Sequence, residues 1–273
     1  MAKPSRGGQR GTAWTRTPQP VPPNQPTPAQ DTDENDDDSA GLDLLAMING
    51  DDQQDDGPQS FDDINWNKKF DDLSIADYKA IYAANAASYD GSVTDAQKMY
   101  ISNTDYDKQG HSLSQTMNYQ LDNNLPLDAN TSFMKTYLEK GLHPIGRDAN
   151  LIRAAHDDVL QGLGVQNYQN YTAAQLQKML VGTTFQQKAY CSYSVDKATN
   201  PFISGAPAGG REVFIKAKTA ASTKVILGAQ SQTEVVTGIG THCRITNVYY
   251  DGTWAYPRNG SAKPRLIIEI DQY

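Results

Sequence analysis

The spacing of apolar residues changes once along this chain of 273 residues, and that change limits the fold more than any other feature. From Leu73 the apolar positions recur at steps of three and four. Tyr78, Ile81, Tyr82 and Tyr89 follow a Ser74 that has Asp77 three residues on, the pattern of a capped helix over about 75–89. "VTDAQKMYISN" opens a second helix on Thr94 as cap. "HSLSQTMNYQLDNN" sets Leu113, Met117 and Leu121 at steps of four, and "NTSFMKTYLEKG" stops at Gly141 as a C′ residue. One more helix is expected in "TAAQLQKMLVG", from Thr172 to Gly182. Beyond residue 148 the period becomes two. "NLIRAA", "QKAYCSYSV", "REVFIKAKT", "TEVVTG", "THCRITNVYY" and "PRLIIEID" read as strands bounded by Gly, Pro or Asn. Helices first and strands afterwards predict an α+β domain over 63–273, with a helical front (72–142) packed on a mostly antiparallel, strand-rich core (148–272).

Residues 1–62 read differently. "PSRGGQRGTAWTRTPQPVPPNQPTPAQ" is followed by an acidic tract from Asp31 to Asp63 that contains no Lys or Arg. Such a composition cannot bury enough apolar surface to offset chain entropy, so a disordered tail, Pro-rich and then acidic, is expected. The net charge of −8 belongs to this tail. Its one apolar island, "GLDLLAMING", reads either as a weakly sticky patch or as a short amphipathic helix that forms on a docking partner. The acidity argues against nucleic acid as the main ligand, since phosphate binding needs a basic surface. No stretch is long and apolar enough to span a bilayer, and the N-terminus lacks the apolar core of a secretory signal, so a soluble chain is expected. Cys191 and Cys243 are too few for a disulfide framework. His111, His143, His156 and His242 are scattered without metal-ligand spacing, so no metal site is expected.

Three short elements bear on chemistry: the apolar strand Leu151-Ile152-Arg153, the strand Tyr190-Cys191-Ser192-Tyr193-Ser194, and Gln232-Thr233-Glu234. Each alone is ordinary. An Arg at a strand end commonly makes a surface ion pair, a Ser-x-Ser strand lines an edge, and a Gln-x-Glu decorates a solvated rim. Strand alternation puts Tyr190, Ser192 and Ser194 on one face and Cys191 and Tyr193 on the other.

In this order and at this spacing, the three elements together resemble the mono-ADP-ribosyltransferase family in its Arg / Ser-Thr-Ser / Gln-x-Glu branch, over about residues 95–272. Tyr193 stands where the family usually has Thr, Tyr190 where it has Phe, and Ala154 where Gly is common. The resemblance implies an ADP-ribosyltransferase-like fold with a mostly antiparallel two-sheet core behind an N-terminal helical region. It also implies NAD as substrate, with ADP-ribose passed to a side chain of a target protein and nicotinamide released. Glu234 would stabilise the oxocarbenium-like transition state and hold the ribose 2′-hydroxyl. Arg153 would grip the diphosphate through its planar fork, with Ala154 beside it and Arg147, in the turn "PIGRDAN", as the alternative. Ser192 would bond the ribose or the catalytic carboxylate, and Ser194 would support a neighbouring strand. Tyr190 and Phe202 would shape the nicotinamide end. Gln232 would point from the same strand face toward the acceptor, and "STKVILGAQS" would form the loop that meets the target. Gln-x-Glu resembles clostridial exoenzymes that modify asparagine, which leans away from arginine as acceptor. Two other readings stay open: an NAD glycohydrolase, and an inactive virion or effector component of the same fold. In either active case the chain is expected to be an effector, secreted or phage-borne, delivered to host cytoplasm.

Overall fold

The computed structural model describes residues 60–102, 106–107, 110–195, 211–255 and 261–273. Nearly all of the expected tail lies outside them, including "GLDLLAMING", and so does Phe202. Four helices come first: α1 (Ile75–Ala86), α2 (Gly91–Ile101), α3 (Leu113–Asp122) and α4 (Ala129–Lys140). The start of α1 follows from its cap. Ser74 Oγ accepts the Asp77 N–H at 3.1 Å and the Asp77 carboxylate accepts the Ser74 N–H at 2.9 Å, so two amides without helical partners are satisfied reciprocally. Helix α2 is capped by Asp90 rather than by Thr94. Asp90 Oδ1 accepts the Val93 N–H at 2.8 Å, and Thr94 sits inside the helix with its hydroxyl donating to the Asp90 carbonyl at 3.0 Å. Gly141 ends α4 with φ −87, not in the left-handed conformation expected of a C′ glycine. Packing requires it instead, because a Cβ there would lie 2.5 Å from Val93 Cγ1 and 3.0 Å from Ile226 Cδ1.

Among the described residues there are ten strands, one before the helical front and nine after it: β1 (Asp71–Asp72), β2 (His143–Pro144), β3 (Ala149–Ala155), β4 (Thr184–Gln186), β5 (Cys191–Ser194), β6 (Val213–Thr219), β7 (Lys224–Leu227), β8 (Glu234–Thr237), β9 (His242–Ala255) and β10 (Lys263–Gln272). Two short helices, α5 (Asp158–Gly162) and α6 (Ala173–Leu180), lie between β3 and β4. The strand order is β2-β7-β8-β5-β3-β6-β10-β9-β4, with β1 beside β3. All pairs are antiparallel except β1–β3 and β6–β10. The two sheets expected from the sequence are hydrogen-bonded into this one path. Their junction is narrow because β6 occupies one edge of β3 from Ala149 to Ala155, while the other edge is shared by β1 at Ala149–Asn150 and by β5 at Ile152 alone. Strand β7 takes the four residues "KVIL" out of the loop expected in "STKVILGAQS"; the connection to β8 runs only from Gly228 to Thr233.

Side-chain alternation gives the sheet two buried surfaces. Cys191, Tyr193, Val225, Leu227 and Val235 join the main core with Tyr78 of α1, Val159 and Leu160 of α5 and Leu176 of α6. Tyr190, Ile226 and Val236 face the opposite way and meet Val93, Ala96, Tyr100, Met117, Met134 and Leu138 of the helical front. Strands β5, β7 and β8 are therefore covered on both faces; β7 (KVIL) and β8 (EVVT) carry unbroken apolar runs, while β5 (CSYS) keeps its alternation. Among the described residues no helix is long and apolar enough to cross a membrane.

Candidate functional site

Three neighbouring strands bring the separated motif residues together. Arg153 lies on β3, Ser192 and Ser194 on β5, and Glu234 opens β8. In register, Ser194 stands opposite Ile152 on one side and Glu234 on the other. The narrow junction of the sheet is thus where all three motifs meet.

Arg153 shares the face of Leu151 and Ala155 and is 6% exposed. Its Nη1 donates to the Ser192 carbonyl at 3.2 Å, so the guanidinium is anchored to the backbone of the serine strand. Ser192 is half-buried and its Oγ lies 3.3 Å from the Tyr100 hydroxyl of α2. Glu234 is 2% exposed, and its carboxylate is built into the loop that precedes it. Oε2 accepts the Ala229 N–H at 2.8 Å. The Glu234 N–H donates to the Ala229 carbonyl at 3.2 Å, and the Glu234 carbonyl accepts the Gly228 N–H at 2.8 Å. Gly228 is required by this arrangement, since a Cβ on it would stand 2.6 Å from Glu234 Cδ and 2.7 Å from Cγ.

The helical front reaches the same loop. Tyr78 of α1, 1% exposed, donates its hydroxyl to the Glu234 carbonyl at 3.0 Å and approaches the Gly228 carbonyl at 3.4 Å. Burial, and then the charge of Glu234, push the Tyr78 phenol far above its ordinary value, so it stays a protonated donor. Gln97 of α2 donates its amide to the Leu227 carbonyl at the end of β7.

Several expectations change on this geometry. Gln232 is not on the strand: it closes a 3-10 turn (Gln230–Gln232), and Thr233, left-handed at φ 45, separates it from Glu234, so strand alternation does not extend to it. Tyr190 keeps the serine face but lies under the helices, 1% exposed, with its hydroxyl donating to the Lys135 carbonyl at 3.2 Å and its backbone bonded to the Asn118 amide. It is core rather than a wall of a nicotinamide pocket. The Ala154 methyl packs with Phe214 and Ile267 on the face of the sheet opposite Leu151. Arg147 is held by Asp71 at 2.6 Å and Asp77 at 3.1 Å, a structural tie between the helical front and the turn before β3. Tyr193 faces the main core and accepts a hydrogen bond from Gln187 Nε2 at 3.2 Å, so the position that departs from the family pattern faces away from the serine side.

Sequence reasoning missed Tyr78, Gln97, Tyr100 and Gly228. Gln97 left one trace: it follows Val93 by four residues on the apolar stripe of α2, where a buried amide needs a distant partner. A second polar cluster lies at the ends of β3, β6 and β10, where Glu212 bonds His156 at 3.0 Å and Lys263 pairs with Asp157. Among the described residues, no group of three or more His, Cys, Asp and Glu is arranged to hold a metal ion.

No protein-family model and no curated protein sequence matches the chain. Solved structures do. The fold is similar to that of bacterial ADP-ribosyltransferase toxins over about three quarters of the chain. Plx2a, an ADP-ribosyltransferase toxin from Paenibacillus larvae, aligns with a TM-score of 0.56 at 17% identity, covering 75% of this chain and 98% of that one. The C3 exoenzyme of Clostridium limosum aligns with a TM-score of 0.54 at 17% identity, covering 77% and 100%. The ADP-ribosylating toxin BECa of a C. perfringens binary enterotoxin, solved with NADH, aligns with a TM-score of 0.52 at 15% identity, covering 75% of this chain and 49% of that one.

Proposed function

We propose that this chain is an NAD-dependent mono-ADP-ribosyltransferase, which moves ADP-ribose from NAD to a side chain of a target protein and releases nicotinamide. The observation that carries the reading is the convergence of Arg153, the Ser192–Ser194 strand and Glu234 at the β3–β5–β8 junction. The likeness to ADP-ribosyltransferase toxins, one of them holding NADH, supports it. We read the single pair Ile152–Ser194 as the seam between two half-sheets, with the substrate along it.

In the reaction the bond from ribose C1′ to the nicotinamide nitrogen breaks, and its electron pair leaves with neutral nicotinamide. Positive charge builds on C1′ and the ring oxygen until a nucleophile of the acceptor supplies a new pair at C1′ and loses its proton. Glu234 answers that charge: one carboxylate oxygen is fixed by the Ala229 N–H, which sets the direction of the other. Arg153 supplies a permanent positive charge beside the serine strand, suited to diphosphate oxygens. Ser192 orients the ribose, and Ser194, between Ile152 and Glu234, braces the two strands. Gln232, on the turn before Glu234, meets an acceptor other than arginine. The target is a protein of a cell to which the chain is delivered as an effector.

The test is labelled NAD and whole-cell lysate. Labelled protein and free nicotinamide are expected, and Glu234→Gln, which keeps an oxygen for the Ala229 N–H, is expected to lower nicotinamide release about 10²–10³-fold. A wild type that releases no nicotinamide would overturn the reading. Free ADP-ribose without labelled protein would replace transfer by hydrolysis.

A further inference from the structure

We infer that Tyr78 and Gln97 of the helical front are positioning residues that hold the loop carrying Glu234, which makes α1 and α2 part of the site rather than a separate layer. The six-residue connection Gly228–Thr233 begins where the β7 ladder ends and finishes on Glu234. Three backbone carbonyls at its two ends face the helices. The Leu227 carbonyl accepts from the Gln97 amide, and the Gly228 and Glu234 carbonyls share the Tyr78 hydroxyl at 3.4 and 3.0 Å. Both donors are buried, Tyr78 at 1% and Gln97 at 6% exposure, so water does not replace them when they are removed.

The loop's own bonds do not fix it against the sheet. The bonds from Gly228 N–H to the Glu234 carbonyl, and from Ala229 N–H to the Glu234 carboxylate, close the loop on itself. The Thr233 carbonyl accepts the Val195 N–H at 3.2 Å and ties the far end of the loop to the end of β5, while Tyr78 and Gln97, reaching across from the helical front, hold the Leu227–Gly228 end and the Glu234 carbonyl. The same helix face delivers Tyr100, three residues after Gln97, to Ser192. Helix α2 thus touches both the strand that carries the serines and the strand end that leads to the carboxylate. The protonated state of Tyr78 keeps its donation constant over any working pH.

The kinetic consequence rests on the proposed role of Glu234, but the positioning does not, and the experiment separates them. The full-length chain is compared with Tyr78→Phe, which loses only a hydroxyl, and Gln97→Met, which keeps length but cannot donate. Amide hydrogen exchange is followed at Ala229 and Glu234, with the amides of Ile215 and Ile268 in the β6–β10 ladder as internal reference, alongside kcat and KM for nicotinamide release. Each variant is expected to speed exchange at Ala229 and Glu234 by about tenfold, the size of one lost buried hydrogen bond, with the reference amides unchanged. Each is expected to lower kcat by a similar factor at unchanged KM for NAD. Unchanged exchange at Ala229 and Glu234, or equal acceleration at Ile215 and Ile268, would overturn the inference. Local acceleration in a chain that cleaves no NAD would sustain the positioning and sink the enzymatic reading alone.

Discussion

At the scale of single residues, the site depends on one absent side chain. The Glu234 carboxyl occupies the volume that a Cβ on Gly228 would need, with Cδ only 2.6 Å from that point. Gly228→Ala would reduce the freedom of the unfolded chain, a gain of about 0.4–1 kcal/mol where the backbone is compatible. Against this stands overpacking of a buried position, at about 1–3 kcal/mol, and the loss wins. The expected result is a variant less stable by about 1 kcal/mol whose carboxylate is pushed off the Ala229 N–H. Its nicotinamide release falls by at least tenfold, a loss beyond what the lowered denaturant midpoint explains. Retained activity at lowered stability would show that the carboxylate tolerates another rotamer. Residues of this kind are not legible in a sequence. Glu234 and the serines stood out because three short motifs in a set order carry a family resemblance, whereas the need for glycine at 228 arises from a side chain six positions away across a turn. Tyr190 misled for the related reason that a shared strand face says nothing of what covers it: here the cover is Met117, Met134 and Leu138, and not a ligand.

Among the elements, the join of the helical front to the sheet is set where α4 ends. Gly141 has ordinary right-handed backbone angles, so alanine would fit its conformation and gain helix propensity. Space decides otherwise. A Cβ would stand 2.5 Å from Val93 Cγ1, on a β-branched side chain with one preferred rotamer inside α2, and 3.0 Å from Ile226 Cδ1 on β7. Gly141→Ala is expected to cost about 1–3 kcal/mol and to lower the urea midpoint without altering the slope; an unchanged midpoint would mean that α2 and α4 separate without cost. Legibility followed the same division between local and distant causes. The start of α1 could be read because its capping box is contained in four residues, and β3, β5, β6, β8, β9 and β10 could be read as strands. The start of α2 could not, because Asp90 and Thr94 are both competent caps and the choice between them depends on where Val93 and Tyr100 must pack. Strand β7 was hidden because "KVIL" is short and flanked by turn formers, and its pairing partner β8 lies beyond the loop it was taken to belong to.

For the whole molecule, the segment that enters β1 is tied to the C-terminal strands by aromatic contacts. Phe61 meets the ring of Tyr273 edge-on at 4.9 Å and lies under the Arg244 guanidinium at 4.6 Å. Trp66 stacks on Phe70 at 5.6 Å, donates its indole N–H to the Phe61 carbonyl at 2.7 Å, and accepts at its own carbonyl from Lys218 at 3.2 Å. The segment then enters β1 and pairs with β3, the strand that carries Arg153. A boundary drawn at residue 62 would therefore remove Phe61 from a site it fills. Removing residues 1–59 deletes Pro-rich and acidic sequence with one short apolar island, "GLDLLAMING", so the melting temperature is expected to hold within about 1 °C and NAD cleavage to persist. Removing residues 1–70 deletes Phe61, Trp66 and the buried Phe70. Burial of one large aromatic is worth about 1.5–3 kcal/mol, so a fall of roughly 5–10 °C is expected for a domain of this size. Scanning calorimetry on the two truncations decides the point: equal melting would mean that the aromatic tie contributes nothing, and that β1 alone secures the N-terminal edge of the fold.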